Sequence, residues 1–330
     1  MTITHTLAAR RRFLQQGGIA LLAGGMGGVT AAAWAAPQLR DTTLRIGTYK
    51  GGDSYYFTEA GVASLPYKSA LAEFAAGNLI VEALAAGSLD CGGMSEIPPI
   101  FAAASNAPMK VIAVLRGDVN NQVVLLPKNS TITDPSQFRG KRIGYVRSTT
   151  SHYFLLQLLK EKGLSFRDIE AVALAPQDGF AAFQSGQLDA WVIFGLVVEL
   201  AKNQGARVLR TADGYLSGNY VISAAARAIA DPMKHAAIGD YLQRIAKVYQ
   251  WINEHPEQWA QKSGRIAGVP PQLFLNQVKA RSQPYKLVAV DDAAVTSQQK
   301  VADVFAQAGL LARRVDVAPL WDRSFAKYLA

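Results

Sequence analysis

Residues 179–194, GFAAFQSGQLDAWVIF, run an apolar-faced helix through Gly186 and pass at once into a strand that opens on Leu188 and Asp189. Residues 78–94, NLIVEALAAGSLDCGGM, do the same through Gly87 into Leu89 and Asp90. Glycine takes the left-handed conformation that stops a helix, and a helix that feeds a strand in this way is half of a parallel βαβ unit. The shared Gly-x-Leu-Asp pattern follows a second shared pattern, Arg-Ile-Gly, in LRIGTY (44–49) and KRIGYV (141–146). The pair reads either as an internal duplication that builds two similar α/β lobes or as a chance likeness between two helix-to-strand turns.

Outward from these segments, short β-branched runs alternate with amphipathic stretches, which predicts an α/β protein with largely parallel sheets. Asn78 is expected to cap the helix of residues 78–87, and KVIAVL (110–115) and VVLLP (123–127) add two strands. Residues 231–268 predict helix with a break near His255-Pro256, in which Tyr241, Ile245, Val248, Tyr249, Trp251, Ile252 and Trp259 pack a core. A chain of 330 residues exceeds the usual size of one core. The expected organisation is a leader over 1–36, a first lobe from 37–126 and 219–330, and a second lobe over 127–218. No low-complexity linker intervenes, so the chain is expected to cross between lobes on short strands near Val123 to Pro127 and Asn219 to Ser223.

The leader rests on ARRRFLQ (9–15), which resembles the twin-arginine export motif with Arg10 and Arg11 as the pair. The uncharged stretch that follows is diluted by glycine and ends on Ala33, Trp34 and Ala35, which predicts cleavage near Ala35 or Ala36 and release into the periplasm. No cysteine follows that stretch to carry a lipid. Cys91 is the single cysteine, so no intramolecular disulfide forms, and it reads as a buried small hydrophobe. The formal charge of +9 falls to +6 without the three arginines of the leader, a balance that favours anionic ligands. Lysine and arginine are scattered, with no basic run interleaved with aromatics, so no nucleic-acid partner is expected.

Motifs for chemistry are missing. No His-x-x-x-His or Cys-x-x-Cys pair, dinucleotide fingerprint, phosphate loop or nucleophile elbow occurs, so no metal, cofactor or catalytic residue is expected. The remaining candidates lie where open α/β sheets bind ligands, beyond the C-terminal ends of parallel strands. In the first lobe these are Tyr49, Lys50, Gly51, Gly77, Asn78, Ser95 and Glu96. In the second they are Ser148, Thr149, Thr150, Ser151 and His152, with Trp191 and Phe194. Four hydroxyls in a row ahead of a helix exceed what one cap needs. The run reads either as a polar turn with a redundant cap or as an anion seat at the positive end of the helix dipole. Trp191 is open to a second reading as core filling, and Lys50 as a solvated surface charge.

IGTYKGG, EFAAGNLIVEALAAGSLDCGGMSEIPPIFAAA, LLPKNSTITDPSQFRGKRIGYVRSTTSHYFLLQLLKEKGL, FAAFQSGQLDAWVIF and QQKVADVFAQAGLLARRVDV keep their order along the chain. Together they resemble the aliphatic sulfonate-binding proteins, within the sulfonate, nitrate and taurine group of ABC transporter substrate-binding proteins. The resemblance implies a two-lobed, hinge-closing type II periplasmic binding protein with two crossing strands as hinge. It implies a monomer that passes a small anionic organosulfur ligand to an inner-membrane permease with a cytoplasmic ATPase. It also implies that Ser148 to His152 hold the sulfonate. The family often has Trp-Asp-Pro-Tyr where this chain has an aromatic strand end followed by Gly195, and the loss of that acid argues against taurine and toward an uncharged apolar or aromatic tail. Arylsulfonates, sulfate esters, taurine and nitrate stand as alternative ligands. A related sulfinate desulfinase needs a cysteine after the first strand, where this chain has Thr48-Tyr49-Lys50-Gly51. A sensor that signals to a membrane kinase is a further alternative.

Overall fold

The computed structural model describes residues 38–329, and the expected leader lies outside them. Among these residues eleven strands form two sheets. In chain order they are β1 (Thr43–Thr48), β2 (Lys68–Glu73), β3 (Cys91–Ser95), β4 (Met109–Arg116), β5 (Gln122–Leu126), β6 (Arg142–Tyr145), β7 (Glu170–Ala173), β8 (Ala190–Phe194), β9 (Arg207–Thr211), β10 (Asn219–Ala225) and β11 (Lys286–Val288). The first sheet has the order β11-β4-β10-β3-β1-β2 and the second β7-β6-β8-β5-β9. Read from the β2 and β7 edges, both place two parallel pairs first and then a strand antiparallel to its neighbour, β10 in one and β5 in the other. The duplication suggested by the two Gly-x-Leu-Asp segments is therefore a duplication of topology.

Its chemistry repeats as well. The Arg45 N–H donates to Asp90 Oδ2 at 2.9 Å and the guanidinium Nη2 to Oδ1 at 2.8 Å. In the second lobe the Arg142 N–H reaches Asp189 Oδ2 at 2.8 Å and its Nη2 reaches Oδ1 at 2.8 Å. Each pair staples the start of the strand leading into the sheet centre to the turn that delivers its parallel neighbour. The glycine of Arg-Ile-Gly is needed in both lobes because Leu89 and Leu188 press on Gly47 and Gly144, leaving no space for a Cβ.

Among the described residues ten α-helices cover the sheets: α1 (Gly77–Ala85), α2 (Pro98–Ala104), α3 (Thr150–Glu161), α4 (Pro176–Gln184), α5 (Leu196–Asn203), α6 (Ala226–Ala230), α7 (Pro232–Glu254), α8 (Pro256–Ala267), α9 (Pro271–Lys279) and α10 (Asp292–Gln307). The break between α7 and α8 falls at His255, because Pro256 cannot donate the N–H that would continue the helix. Among the described residues no helix is long and apolar enough to cross a membrane.

The crossings differ from expectation. Residues 123–127 were expected to carry the first, but β5 is buried along its whole length and pairs on both sides within the second sheet. A central strand of one sheet and a strand passing between sheets share the same apolar pattern, so periodicity does not separate them. The chain crosses earlier, over 117–121, and returns over 212–218, leaving Asn219 to Ser223 inside the first sheet. The crossings touch where the Gly117 N–H donates to the Gly218 carbonyl at 3.0 Å. The lobes also meet in apolar clusters. Ala76 is buried with Val146 and Ile193, Phe305 of α10 with Ile97 and Tyr153, and Leu196 and Leu200 of α5 pack on Phe274 of α9.

Candidate functional site

In the first lobe the seam is built around the start of α1. Ala76 is the N-cap and offers no side-chain acceptor, so Asn78 stands inside the first turn and not at the expected cap. Gly77 has no space for a Cβ, which would lie 2.9 Å from Met94 Cβ and 3.1 Å from the Tyr49 hydroxyl. The absence of that side chain lets the β1 loop and β3 close on the helix start. Asn78 Oδ1 is buried with no hydrogen-bond partner among the described residues. The first N–H groups of α1 thus lack a side-chain cap at the positive end of its dipole.

In the second lobe α3 also begins uncapped, although its N-cap is Thr149. The Thr149 hydroxyl is turned back and donates to the Val146 carbonyl at 2.7 Å. Ser151 Oγ accepts the Val146 N–H at 3.1 Å and donates to the Val192 carbonyl at 2.5 Å, tying the loop to β8. His152 Nδ1 accepts the Ser148 N–H at 3.3 Å, and the ring packs on Tyr145, Phe166 and Phe305. Burial first, and the Arg147 charge second, push this imidazole down to about 4, so it is neutral at pH 7. The expectation that all five residues seat an anion is corrected on this point: Ser151 and His152 serve the core and the loop, and His152 brings no positive charge.

Ser148 and Thr150 keep side chains without a protein partner among the described residues, and Ser148 has φ of 58°, a left-handed conformation unusual for a residue other than glycine. Thr150 lines a cavity of about 10 Å³ at the seam, together with Glu96, Val119, Gln122, Ser217 and Tyr220. That is room for about one water molecule.

The other candidates divide. Lys50 is exposed, as its blander reading had it. Gly51 has φ of 74°, and a Cβ there would lie 3.1 Å from Leu196 Cδ1, which places the β1 loop against the start of α5. Phe194, half-buried, ends β8 beside that contact, and Ser95, also half-buried, ends β3 opposite Tyr220. Trp191 is fully buried against Phe180 and Phe183, so it fills the core and is removed from the ligand candidates. The Glu96 carboxylate accepts hydrogen bonds from Ser217 at 2.5 Å, Ser297 at 3.3 Å and Asn219 at 3.4 Å, which turns it toward the return crossing and α10. Burial pushes it up to about 7 against those hydrogen bonds.

One acidic group escaped the sequence reading. Asp53 opens a short 3-10 turn (Asp53–Tyr56) after the β1 loop and is pushed up to about 6 by burial. Tyr241 and Tyr249, read from sequence as core packing, lie close enough to Asp53 that its charge adds to burial in raising both phenols. Their spacing of eight along α7 puts both on one face, but helical spacing does not distinguish a tyrosine that packs from one that presents its hydroxyl.

Comparison with known proteins agrees with this architecture. The family model described as NMT1/THI5 like matches residues 44–259. The chain is 32% identical over 247 residues, 74% of its length and 76% of the other's, to a protein of Escherichia coli strain K12 named for binding aliphatic sulfonates. It is similar in structure to the alkanesulfonate-binding protein of Xanthomonas axonopodis pv. citri bound to MOPS, with a TM-score of 0.77 and 27% identity over 86% of this chain and 98% of that one. The periplasmic aliphatic sulphonate binding protein of Escherichia coli matches with a TM-score of 0.71 and 28% identity over 88% of this chain and 94% of that one. This two-lobed chain belongs to the NMT1/THI5-like family.

Proposed function

We propose that the protein is the periplasmic substrate-binding component of an ABC importer and captures an organosulfonate between its lobes. The observation that carries this reading is the pair of uncapped helix starts, α1 in the first lobe and α3 in the second, at a seam where Ala76 is buried with Val146. Backbone N–H groups at two helix starts stabilise a tetrahedral oxyanion without a full counter-charge, and neither lobe alone supplies both. The ligand's differential affinity for the closed arrangement drives closure about the Gly117–Gly218 contact. The relatives named for sulfonate binding support this class of ligand. Cys91 is fully buried and its thiol is raised by burial, and the β1 loop carries no cysteine, which favours capture over chemistry. In this reading the protein is a monomer, exported by the twin-arginine route on Arg10 and Arg11, cut near Ala35 or Ala36, and docks on an inner-membrane permease driven by a cytoplasmic ATPase.

Asn78→Asp tests the seat. A carboxylate in the first turn of α1 gains about 0.3–1 kcal/mol from the helix dipole but places a charge where Asn78 Oδ1 is buried without a partner, so folding of the ligand-free variant is checked first by its melting curve. The same charge should weaken sulfonate binding at least about tenfold in calorimetry. Undiminished affinity in a folded Asn78→Asp protein would remove α1 from the site.

A further inference from the structure

Glu96 follows β3 where the two lobes meet, and its two oxygens are not equally held. Oε1 accepts the hydroxyls of Ser217 at 2.5 Å and Ser297 at 3.3 Å, whereas Oε2 has only the long contact to Asn219 at 3.4 Å. One oxygen is therefore satisfied by the return crossing and α10, and the other is open to a proton or a further donor. The cavity of about 10 Å³ beside it is walled from the second lobe by Gln122 at the start of β5 and Thr150 at the start of α3. Glu96 and Gln122 are each 4% exposed and Thr150 is 7% exposed, so none of the three relies on bulk water. Gln122 donates its amide N–H to the Tyr220 hydroxyl at 3.0 Å, and its Oε1 has no hydrogen-bond partner among the described residues. A space the size of one water, with an orphaned acceptor, a free hydroxyl and a carboxyl on its walls, makes a polar joint between the lobes.

We propose that Glu96 is a proton-coupled latch: its neutral carboxyl is joined to Thr150 and Gln122 through one water in this cavity, and capture of a sulfonate at the starts of α1 and α3 takes up a solvent proton onto it. The inference rests on the organosulfonate reading and adds a pH dependence to it. Thr150 is both the first residue of α3 and a wall of the cavity, so an anion seated at that helix start faces the carboxyl across this small space. Two negative charges repel strongly in a seam with little water, and a proton on Glu96 removes one of them. Burial pushes Glu96 up to about 7 against its hydrogen bonds. A bound anion raises it further, so affinity is level below about pH 7 and falls as pH rises above that. Among the described residues the titratable groups facing Glu96 are Tyr153 of α3 and Tyr220 of β10, both raised by burial and neutral through this window. The return crossing and α10 present Ser217, Asn219, Ser297 and Gln298, and α2 carries no charged residue. Asp118 of the outward crossing turns its carboxylate to Ser282. His152, also in the first turn of α3, is pushed down to about 4 and is neutral above pH 6.

Calorimetry of the purified protein with propanesulfonate and benzenesulfonate tests this, in amine buffers so that no buffer carries a sulfonate. The expected result is that the sulfonate bound at about pH 6 binds about tenfold or more weakly at about pH 8.5. At the higher pH the heats in Tris and in triethanolamine should differ by the uptake of about one proton per ligand. In Glu96→Gln the affinity should be level across the same range and the two heats should show no proton exchanged. Should that variant fold poorly, the proton count of the parent decides alone, with about one supporting the latch and zero overturning it. Equal binding at both pH values with no proton exchanged would overturn the inference and leave the sulfonate reading standing. A pH dependence that survives intact in folded Glu96→Gln would overturn it too, by assigning the proton elsewhere. Binding of neither sulfonate at either pH would overturn the sulfonate reading and this inference with it.

Discussion

Ser151 shows how far a side chain's role depends on where its neighbours end up. Its hydroxyl accepts from the Val146 N–H and donates to the Val192 carbonyl, so it bridges the β6 loop and β8 in a buried position. Ser151→Ala should leave both backbone groups without that partner and lower unfolding free energy by about 1–3 kcal/mol, read from urea midpoints at unchanged slope. A loss near zero would mean that water replaces the hydroxyl. The run from Ser148 to His152 was legible in sequence as an excess of polar groups at a helix start. The direction of each hydroxyl was not, because it is fixed by β8, about forty residues further along the chain. Asp53 was missed for a related reason: one acid in a glycine-rich loop carries no periodicity, and the burial that raises it is a property of the folded surroundings.

At the scale of elements, the repeat that opened the sequence reading has an energetic meaning. Asp90 is fully buried and takes hydrogen bonds from Arg45, Arg227 and Lys234, whereas Asp189 is partly exposed and pairs with Arg142. Burial alone would raise the Asp90 carboxyl, but the Arg45 and Lys234 hydrogen bonds outweigh it and hold the group at about 2. A carboxyl held below its unfolded value adds stability that is present above the unfolded value and lost as pH falls through the folded one. Asp90→Asn should therefore cost about 2 kcal/mol at pH 6, with the gap to the parent shrinking below pH 4. The equivalent change at Asp189 should cost less, since solvent screens a partly exposed pair. Equal costs at the two positions would show that the turn backbone, and not the charge, holds the staple. The helix-to-strand turns and most strands were legible because a glycine stop and a β-branched run are local signals, whereas the staples that Gly-x-Leu-Asp and Arg-Ile-Gly form with each other span about 45 residues. The placement of β5 was not, since it is set by pairing with β8 and β9, far along the chain, inside the second sheet; nor was that of α10, which packs where the lobes meet.

For the whole molecule the lobes are joined through Glu96 and Phe305, neither of which the local pattern singles out as a junction. Phe305 lies 5.2 Å from Phe101 of α2 and 5.7 Å from Tyr153 of α3, so α10 touches both lobes at once. Glu96, at the end of β3, holds the return crossing through Ser217 and Asn219 and α10 through Ser297, while its backbone carbonyl accepts from Gln298 at 2.6 Å. No lysine, arginine or histidine among the described residues pairs with it; the nearby titratable group is Tyr153, whose phenol Glu96 helps to raise. Because the folded value of about 7 lies above the ordinary 4.5, the unfolded chain releases this proton first as pH rises. Stability is then lost between pH 4.5 and 7, and the loss is complete above that window, to the extent of about 3 kcal/mol. Glu96→Gln keeps the shape and an acceptor for Ser217 without the charge, so it should raise the melting temperature at pH 8 and lose most of that advantage at pH 4.5. An advantage of equal size at both pH values would show that the variant acts by packing. A loss at pH 8 would show that the closed seam needs the ionised carboxylate, and that its hydrogen bonds outweigh the cost of burying it.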